Sequence, residues 1–217
     1  MENVIELSSV NSLLNAYLAE MRDERLQKDK SRFRENLEAC GFVLGYEISK
    51  SLQFCKHDVN TPLGTASVNL IDEEVVVVGI LRAALPVQMG MLKAFRHAEA
   101  AFIAAYRKHK NDSKEFIIVS EYEATPNLEG KTVILVDPML ATGSSMVTCY
   151  ERLMMNSKPK QCIVASVFSS LEGVNALNSQ IPQIVHYTCV IDAELDVNKY
   201  IVPGLGDAGD LAFGVKM

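Results

Sequence analysis

Short apolar runs alternate with amphipathic segments over the last two thirds of the chain. The runs are rich in β-branched residues, and they predict strands at 74–81, 100–106, 132–137, 162–168 and 184–191. The segments between them have helical periodicity, and they predict helices at 86–96, 144–156 and 171–178. A further extended segment is predicted at 115–124. Strands that alternate with helices indicate an α/β fold, with a mostly parallel sheet flanked by helices on both faces.

The first 70 residues follow a different pattern. Residues 11–40 predict two helices, of which the second is densely charged, begins near Arg25 and stops near Gly41. From 46 to 70 the chain turns to short mixed segments, with a turn signal at 60–64. This region therefore predicts a β-arm beside the main core.

The composition is that of a protein with one substantial core. Of the 217 residues 48% are apolar, so we expect residues 1–217 to form a single domain. No apolar run is long enough to span a bilayer, and Glu2 and Glu6 stand where a secretory signal would be basic. The net charge of −6 argues against a nucleic-acid surface, and five cysteines without a CxxC pair indicate reduced thiols. We expect a cytoplasmic protein with neither a membrane nor a nucleic-acid partner.

The most informative segment spans residues 133–145. Its apolar run ends on Asp137, small residues follow up to Gly143, and an amphipathic helix begins near Ser144. Free N–H groups and the positive end of the helix dipole bind phosphate at such a place, and small side chains let it approach. The segment is neither a Walker loop nor a GxGxxG motif. It predicts a phosphate site of unassigned class, and the alternative is a tight strand-to-helix turn capped by Asp137.

Two arginines follow predicted strands of the same sheet. Arg82 comes directly after strand 74–81, and Arg107 after strand 100–106. Ligands of parallel sheets lie at the carboxyl ends of the strands, so both guanidinium groups are expected near Asp137. Together with the phosphate loop they suit a ligand that carries several phosphates. Taken singly, each could equally be an ordinary surface or ion-pair residue.

The tail from Tyr200 to Asp210 holds three glycines, a proline and two aspartates. This composition predicts neither a helix nor a regular strand, and glycines let backbone groups come close to a ligand. The alternatives are an ordered loop that closes the domain or a calcium-like loop. The spacing of the carboxylates does not match an EF-hand.

Several motifs together resemble the uracil phosphoribosyltransferase family of the type I phosphoribosyltransferases. The resemblance covers nearly the whole chain, and the segments that carry it are Arg32-Phe33-Arg34, Thr61-Pro62-Leu63-Gly64, Ile80-Leu81-Arg82-Ala83, Tyr106-Arg107, Asp137-Pro138-Met139-Leu140-Ala141-Thr142-Gly143 and Tyr200 to Asp210. It implies a type I phosphoribosyltransferase-like sheet with a β-arm or hood and N-terminal helices. It also implies salvage chemistry, in which uracil and 5-phosphoribosyl 1-diphosphate (PRPP) give UMP and pyrophosphate.

The resemblance further implies the roles of individual residues. Asp137, Arg82 and Arg107 would be catalytic. PRPP would be bound by Arg82, Arg107, Asp137, Pro138, Met139, Leu140, Ala141, Thr142, Gly143, Ser144, Ser145 and Asp207. Uracil would be bound within a C-terminal segment, 192–217, by Tyr200, Ile201, Gly206, Asp207 and Ala208. The cofactor Mg²⁺ would be held mainly through PRPP and water.

The chain departs from the family pattern at several places. Ala84 and Ser144 replace glycines, Leu211 replaces a basic residue, and the loop at 108–113 differs from the family's flexible loop. Lys108 and Lys110 could substitute for the cations of that loop. The departures leave two alternatives open: a catalytically weakened module that binds PRPP or a nucleotide, and a transferase for another base. The resemblance also implies a homodimer or higher homo-oligomer, with GTP as a candidate effector.

Overall fold

A mostly parallel sheet with helices on both faces forms the body of the protein. The computed structural model describes residues 3–109 and 116–215. The strands are β1 (Val4–Glu6), β2 (Phe54–Thr61), β3 (Gly64–Ile71), β4 (Val75–Leu81), β5 (Glu99–His109), β6 (Phe116–Ala124), β7 (Thr132–Leu140), β8 (Gln161–Ser170), β9 (Val185–Asp192), β10 (Glu194–Leu195) and β11 (Ile201–Val202). The helices are α1 (Leu14–Arg22), α2 (Lys30–Ser49), α3 (Leu85–Ala94), α4 (Ser144–Asn156), α5 (Leu171–Gln180) and α6 (Ala208–Phe213).

The order of strands in the main sheet is β1-β9-β8-β7-β4-β5-β6. All neighbours run parallel except β5 and β6. The predicted α/β class is therefore confirmed. The central strands β4 and β7 are neighbours in the parallel sheet, and their last pair is Gly79 with Val136, so both strands end at the same edge of the sheet.

Two hydrophobic cores cover the two faces of the sheet. Helices α1, α2, α3 and α6 contribute to the first core, in which Phe33, Leu37 and Met91 are fully buried. Helices α4 and α5 contribute to the second, with Cys149 and Leu177 at its centre. Along β7, alternate residues enter alternate cores, as the pleat of a strand requires. Among the described residues, no helix is both long and apolar enough to cross a membrane.

The predicted end of the second helix near Gly41 is wrong. Helix α2 continues to Ser49. Gly41 does not end the helix but lets it pack closely against α3. A Cβ atom on Gly41 would lie only 2.1 Å from the carbonyl oxygen of Val87 in α3. The two helices can approach this closely only where a side chain is missing. Consequently the β-arm begins later than predicted, with the hairpin of β2 and β3 at 54–71.

Three other elements also differ from the prediction. Strand β7 does not end at Asp137 but continues to Leu140, which pairs with Ser169 of β8. Strand β5 continues past 106, so that Arg107 lies within it and pairs with Ile118. The tail is not wholly irregular, since it holds the short strand β11 and the helix α6. Strand β1 is too short for its periodicity to be recognised in the sequence.

Replacing Gly41 with alanine should destabilise the protein. We expect the free energy of unfolding to fall by about 1–3 kcal/mol, because the added methyl group forces α2 and α3 apart. Urea denaturation followed by circular dichroism measures this change. Arg32→Ala, on the exposed face of the same helix, is the control and should alter stability by less than about 0.5 kcal/mol. Equal effects of the two substitutions would contradict the packing role of Gly41.

Candidate active site

A cavity of about 470 Å³ opens at the carboxyl ends of β4 and β7. One wall is the turn after β4, a second is the loop between β7 and α4, and a third is the segment from Lys199 to Gly209. The cavity brings together most of the residues proposed from the sequence: Arg82, Asp137, Met139, Leu140, Ala141, Thr142, Gly143, Ser145, Tyr200, Ile201, Gly206, Asp207 and Ala208. Segments far apart in the chain thus meet around one space, at the predicted edge of the sheet.

The remaining proposed residues lie elsewhere. Pro138 is buried within β7, and the side chain of Ser144 is exposed at the start of α4. The backbone of Arg107 is part of β5, whereas its side chain lies outside the described residues, as do residues 110–113 of the altered loop. Their proposed roles stay predictions.

The loop between β7 and α4 is built to leave backbone amides free. Gly143 begins α4 with φ of +77°, a conformation that favours glycine, and it supplies no side-chain cap. The amide of Ser144 donates to Oγ1 of Thr142 at 3.4 Å, whereas the amides of Ser145 and Met146 have no acceptor among the described residues and can bind an anion. The hydroxyl of Ser170 donates to the carbonyl of Ala141 (2.6 Å) and accepts from the amide of Gly173 (2.9 Å), which ties the loop to α5. This arrangement suits a terminal phosphate.

Asp137 is an acceptor on the floor of the cavity and not a helix cap. Its Oδ1 accepts from the amide of Met139 at 3.1 Å, within β7. The pKa of the Asp137 carboxyl is raised to about 7, chiefly because the group is buried; the Met139 amide opposes this shift, and the nearby charge of Asp207 adds to it. Two carboxylates thus face the same space. Such a pair stabilises positive charge that develops between them.

This raised pKa predicts how stability depends on pH. The folded protein binds the proton of Asp137 more tightly than the unfolded chain does. The protonated carboxyl therefore contributes its full stabilisation of the fold below about pH 4, and this contribution is lost as the pH rises through about 7. We therefore expect the stability of the wild type, relative to Asp137→Asn, to fall between pH 4 and 7. Urea denaturation of both proteins at several pH values measures the difference. A difference independent of pH would contradict the shifted pKa.

Arg82 links the turn after β4 to the C-terminal helix. Its Nη2 donates to Oδ1 of Asp210 (2.7 Å) and to the carbonyl of Gly214 (2.9 Å). Its Nε is buried and has no hydrogen-bond partner among the described residues. Arg82 therefore forms an ion pair, which was the alternative to a role in ligand binding, and it also lines the cavity. Asp210 was not foreseen, because only folding shows which of the two tail aspartates faces Arg82.

The segment from Lys199 to Ala208 forms the wall of the cavity opposite the loop after β7. Ile201 and Ala208 are almost fully buried, and Asp207 caps α6 by accepting from the amide of Asp210 (2.9 Å). Lys199, which sequence reasoning missed, lines the cavity with φ of +65°. The signal that could have indicated Lys199 is its position next to Tyr200, which was proposed from the sequence.

A family model described as uracil phosphoribosyltransferase matches residues 8–215. The chain is 45% identical over 215 residues to a uracil phosphoribosyltransferase of Porphyromonas gingivalis, covering 99% of both chains. It is 39% identical over 210 residues to the corresponding protein of Sulfolobus acidocaldarius, covering 93% of this chain and 96% of that one.

Solved structures show the same fold. The AQ2163 protein of Aquifex aeolicus has a TM-score of 0.85 at 29% identity, over 98% of both chains. A hypoxanthine-guanine phosphoribosyltransferase of Bacillus anthracis has a TM-score of 0.50 at 15% identity, over 75% of this chain and 80% of that one, which is a likeness of fold alone. The loop after β7 and the segment from Lys199 to Gly209 meet around one cavity, and the family model matches almost the whole length, so the chain belongs to the uracil phosphoribosyltransferase family.

Proposed function

We propose that this protein is a uracil phosphoribosyltransferase, which converts uracil and PRPP to UMP and pyrophosphate in pyrimidine salvage. The observation that carries the proposal is the cavity in which the phosphate loop after β7 faces the segment from Lys199 to Gly209. One wall suits a sugar phosphate, and the opposite wall offers backbone groups to a flat base. The transferred bond would form in the space between the two walls.

The amides at the start of α4 would hold the 5-phosphate of PRPP. The amides of Ser145 and Met146 have no acceptor among the described residues, and the residues Ala141 and Thr142 line the cavity beside them. Asp137 would accept hydrogen bonds from the ribose hydroxyls beside carbon 1. When the bond from carbon 1 to pyrophosphate breaks, that carbon develops positive charge, which the carboxylates of Asp137 and Asp207 stabilise.

Arg82 would neutralise the departing pyrophosphate. Its guanidinium group stands at the carboxyl end of β4, and its buried Nε is a donor without a partner among the described residues. Bidentate donors of this kind match phosphate oxygens well. Arg107 is proposed to act beside it on the basis of its motif alone.

The base would be read by backbone groups of Ile201, Gly206 and Ala208. Uracil presents two acceptors and one donor, so the matching set is donor, acceptor, donor. Cytosine would place its amino group against a backbone N–H and leave it unpaired, at a cost of about 1–3 kcal/mol. We therefore expect discrimination against cytosine to depend on the shape of this segment more than on its side chains.

Magnesium fits this cavity as a substrate-borne ion. The cavity offers the two carboxylates of Asp137 and Asp207, and Mg²⁺ is commonly held through one or two carboxylates, water and substrate phosphates. Asp207 would contact PRPP or a water of the ion. When bound, Mg²⁺ neutralises part of the charge on pyrophosphate.

A direct assay tests the proposed function. The protein is mixed with Mg²⁺, PRPP and uracil, and UMP and pyrophosphate are followed together; the same assay with added GTP tests whether that nucleotide is an effector. We expect UMP to form in step with pyrophosphate. Binding of PRPP without UMP would overturn the proposal in favour of a binding module, and transfer to another base alone would overturn the choice of substrate.

The exposed β-arm is proposed to pair two copies of the chain. Strands β2 and β3 form a separate two-stranded sheet, and an isolated hairpin is at best marginally stable in water. The arm nevertheless exposes several apolar side chains, of which Leu63 at its tip is 99% exposed. A second copy that covers these side chains would explain both features.

Leu63→Asp should weaken this homodimer. A charge placed in an apolar contact is costly to bury, so we expect the dissociation constant to rise about tenfold or more. Sedimentation equilibrium at several protein concentrations measures it. Met155→Asp is the control, because Met155 is also strongly exposed (82%) but lies on α4, outside the arm. An unchanged dissociation constant for Leu63→Asp, or a monomeric wild type, would refute the role of the arm.

A further inference from the structure

Two arginines of the N-terminal helices reach the segment that faces the base. Nη1 of Arg22, at the end of α1, donates to the carbonyl oxygen of Gly204 at 2.9 Å. Nη1 of Arg34, in α2, donates to the carbonyl oxygen of Ala212 at 2.8 Å. These two carbonyl groups stand on either side of the stretch 205–211, which contributes Gly206, Asp207 and Ala208 to the cavity.

Arg22 is itself held rigidly by an ion pair. Its Nη2 donates to Oδ1 of Asp192 (2.7 Å), and its Nη1 donates to Oδ2 of the same carboxylate (2.9 Å). Asp192 is 7% exposed and lies at the end of β9. The guanidinium group also stacks on the buried ring of Phe168, 4.8 Å from its centre. The arginine is therefore anchored to two strands of the main sheet.

The same ion pair holds both polar groups of one backbone residue. The amide of Gly204 donates to Oδ2 of Asp192 (3.1 Å), while its carbonyl accepts from Arg22. The position of Gly204 is thereby determined by β9 and α1 together. Because Gly204 comes two residues before Gly206, a displacement here shifts the backbone groups that face the base.

None of the side chains of Arg22, Asp192 and Arg34 lines the cavity. Their effect on a ligand must therefore pass through the backbone that they hold. Helix α6 has only six residues, so few hydrogen bonds within the helix stabilise its position. Recognition by backbone groups needs donor and acceptor distances correct to a few tenths of an ångström. A tether at each end of the stretch meets this requirement.

We propose that Arg22 and Arg34 are positioning residues for base recognition, which fix the stretch 205–211 so that its backbone can read uracil. This inference rests on the proposed function. It assigns the N-terminal helices α1 and α2 a role in substrate specificity, in addition to their role in the hydrophobic core. The phosphate loop is held separately, through Ser170 and α5, so the binding of PRPP should not depend on these arginines.

Steady-state kinetics of two variants test the proposal. Arg22→Lys keeps a positive charge beside the buried Asp192 but cannot donate to that carboxylate and to Gly204 in the same planar arrangement. Arg34→Met keeps an unbranched side chain but removes the donor to Ala212. For each variant we expect KM for uracil to rise about tenfold or more, and KM for PRPP to stay within about twofold. The preference for uracil over cytosine should fall in parallel.

The control substitution is Lys131→Gln. Lys131 forms ion pairs with Glu74 and Glu99 at the opposite end of the sheet, so it tests the effect of losing an ion pair away from the tail. It should leave both KM values and the base preference unchanged. Equal rises of KM for uracil and PRPP in the arginine variants, or no rise in either, would overturn the proposal.

Hydrogen exchange separates this proposal from the proposed function. In Arg22→Lys we expect the amide of Gly204, which donates to Asp192, to exchange at least about tenfold faster than in the wild type. Amides of the phosphate loop should not change. A wild type that makes no UMP would refute the proposed function, whereas unchanged exchange at Gly204 would refute the tether even in an active enzyme.

Discussion

Asp137→Asn is expected to lower kcat/KM for PRPP by about 100-fold or more, with the fold intact. Asparagine has the same shape, and its side-chain oxygen can still accept from the amide of Met139, so the local structure of β7 is preserved. Above about pH 7, where Asp137 is ionised, what is lost is the negative charge beside the carbon that becomes cationic. Asp207 remains in the cavity, but one carboxylate cannot replace the field of two.

The rate of UMP formation at saturating uracil measures this effect. Circular dichroism and thermal unfolding establish that the variant is folded. Glu151→Gln removes one carboxylate from the exposed face of α4 and serves as the control for a general change of charge, so it should retain full activity. If Asp137→Asn is as active as this control, the electrostatic role of Asp137 is wrong.

Arg82→Ala should produce the second large loss. We expect kcat/KM for PRPP to fall about 100-fold, and inhibition by pyrophosphate to weaken about tenfold, because the cation that faces the leaving group is removed. The substitution also breaks the ion pair with Asp210, which connects the turn after β4 to α6. Two different causes could therefore reduce activity.

Asp210→Asn separates these causes. This variant weakens the same ion pair but leaves the guanidinium group of Arg82 in place. We expect a loss of activity of about tenfold or less, with inhibition by pyrophosphate nearly unchanged. Equal losses in both variants would mean that Arg82 acts only by holding α6, and its role at pyrophosphate would have to be abandoned.

The prediction from sequence succeeded where local pattern and fold demand the same thing. The apolar runs that form β4, β8 and β9 are buried on both faces, so their β-branched residues identify them. It failed where a residue serves a distant contact. Gly41 resembles a helix end in the sequence, yet it lies within α2. A glycine is needed there because the backbone of Val87 in α3 leaves no room for a Cβ atom.

The same distinction applies to the site. Asp137, Thr142 and Gly143 are close in sequence and belong to one strand-loop-helix unit, so their motif was sufficient to place them. The partner of Arg82 could not be predicted, because Asp210 follows it by 128 residues and the sequence did not distinguish Asp210 from Asp207. Lys199 was missed because its place in the cavity depends on a backbone turn and not on a motif.

By itself the sequence determined the α/β class, the strand-loop-helix unit of β7 and α4 and the family, because short-range periodicity and contiguous motifs encode them. Only the tertiary structure decided how the walls of the cavity are held. Arg22 bonds to Gly204, 182 residues away, and Arg34 to Ala212, 178 residues away. Such contacts depend on how helices pack on a sheet, and no local pattern of residues specifies that packing in advance.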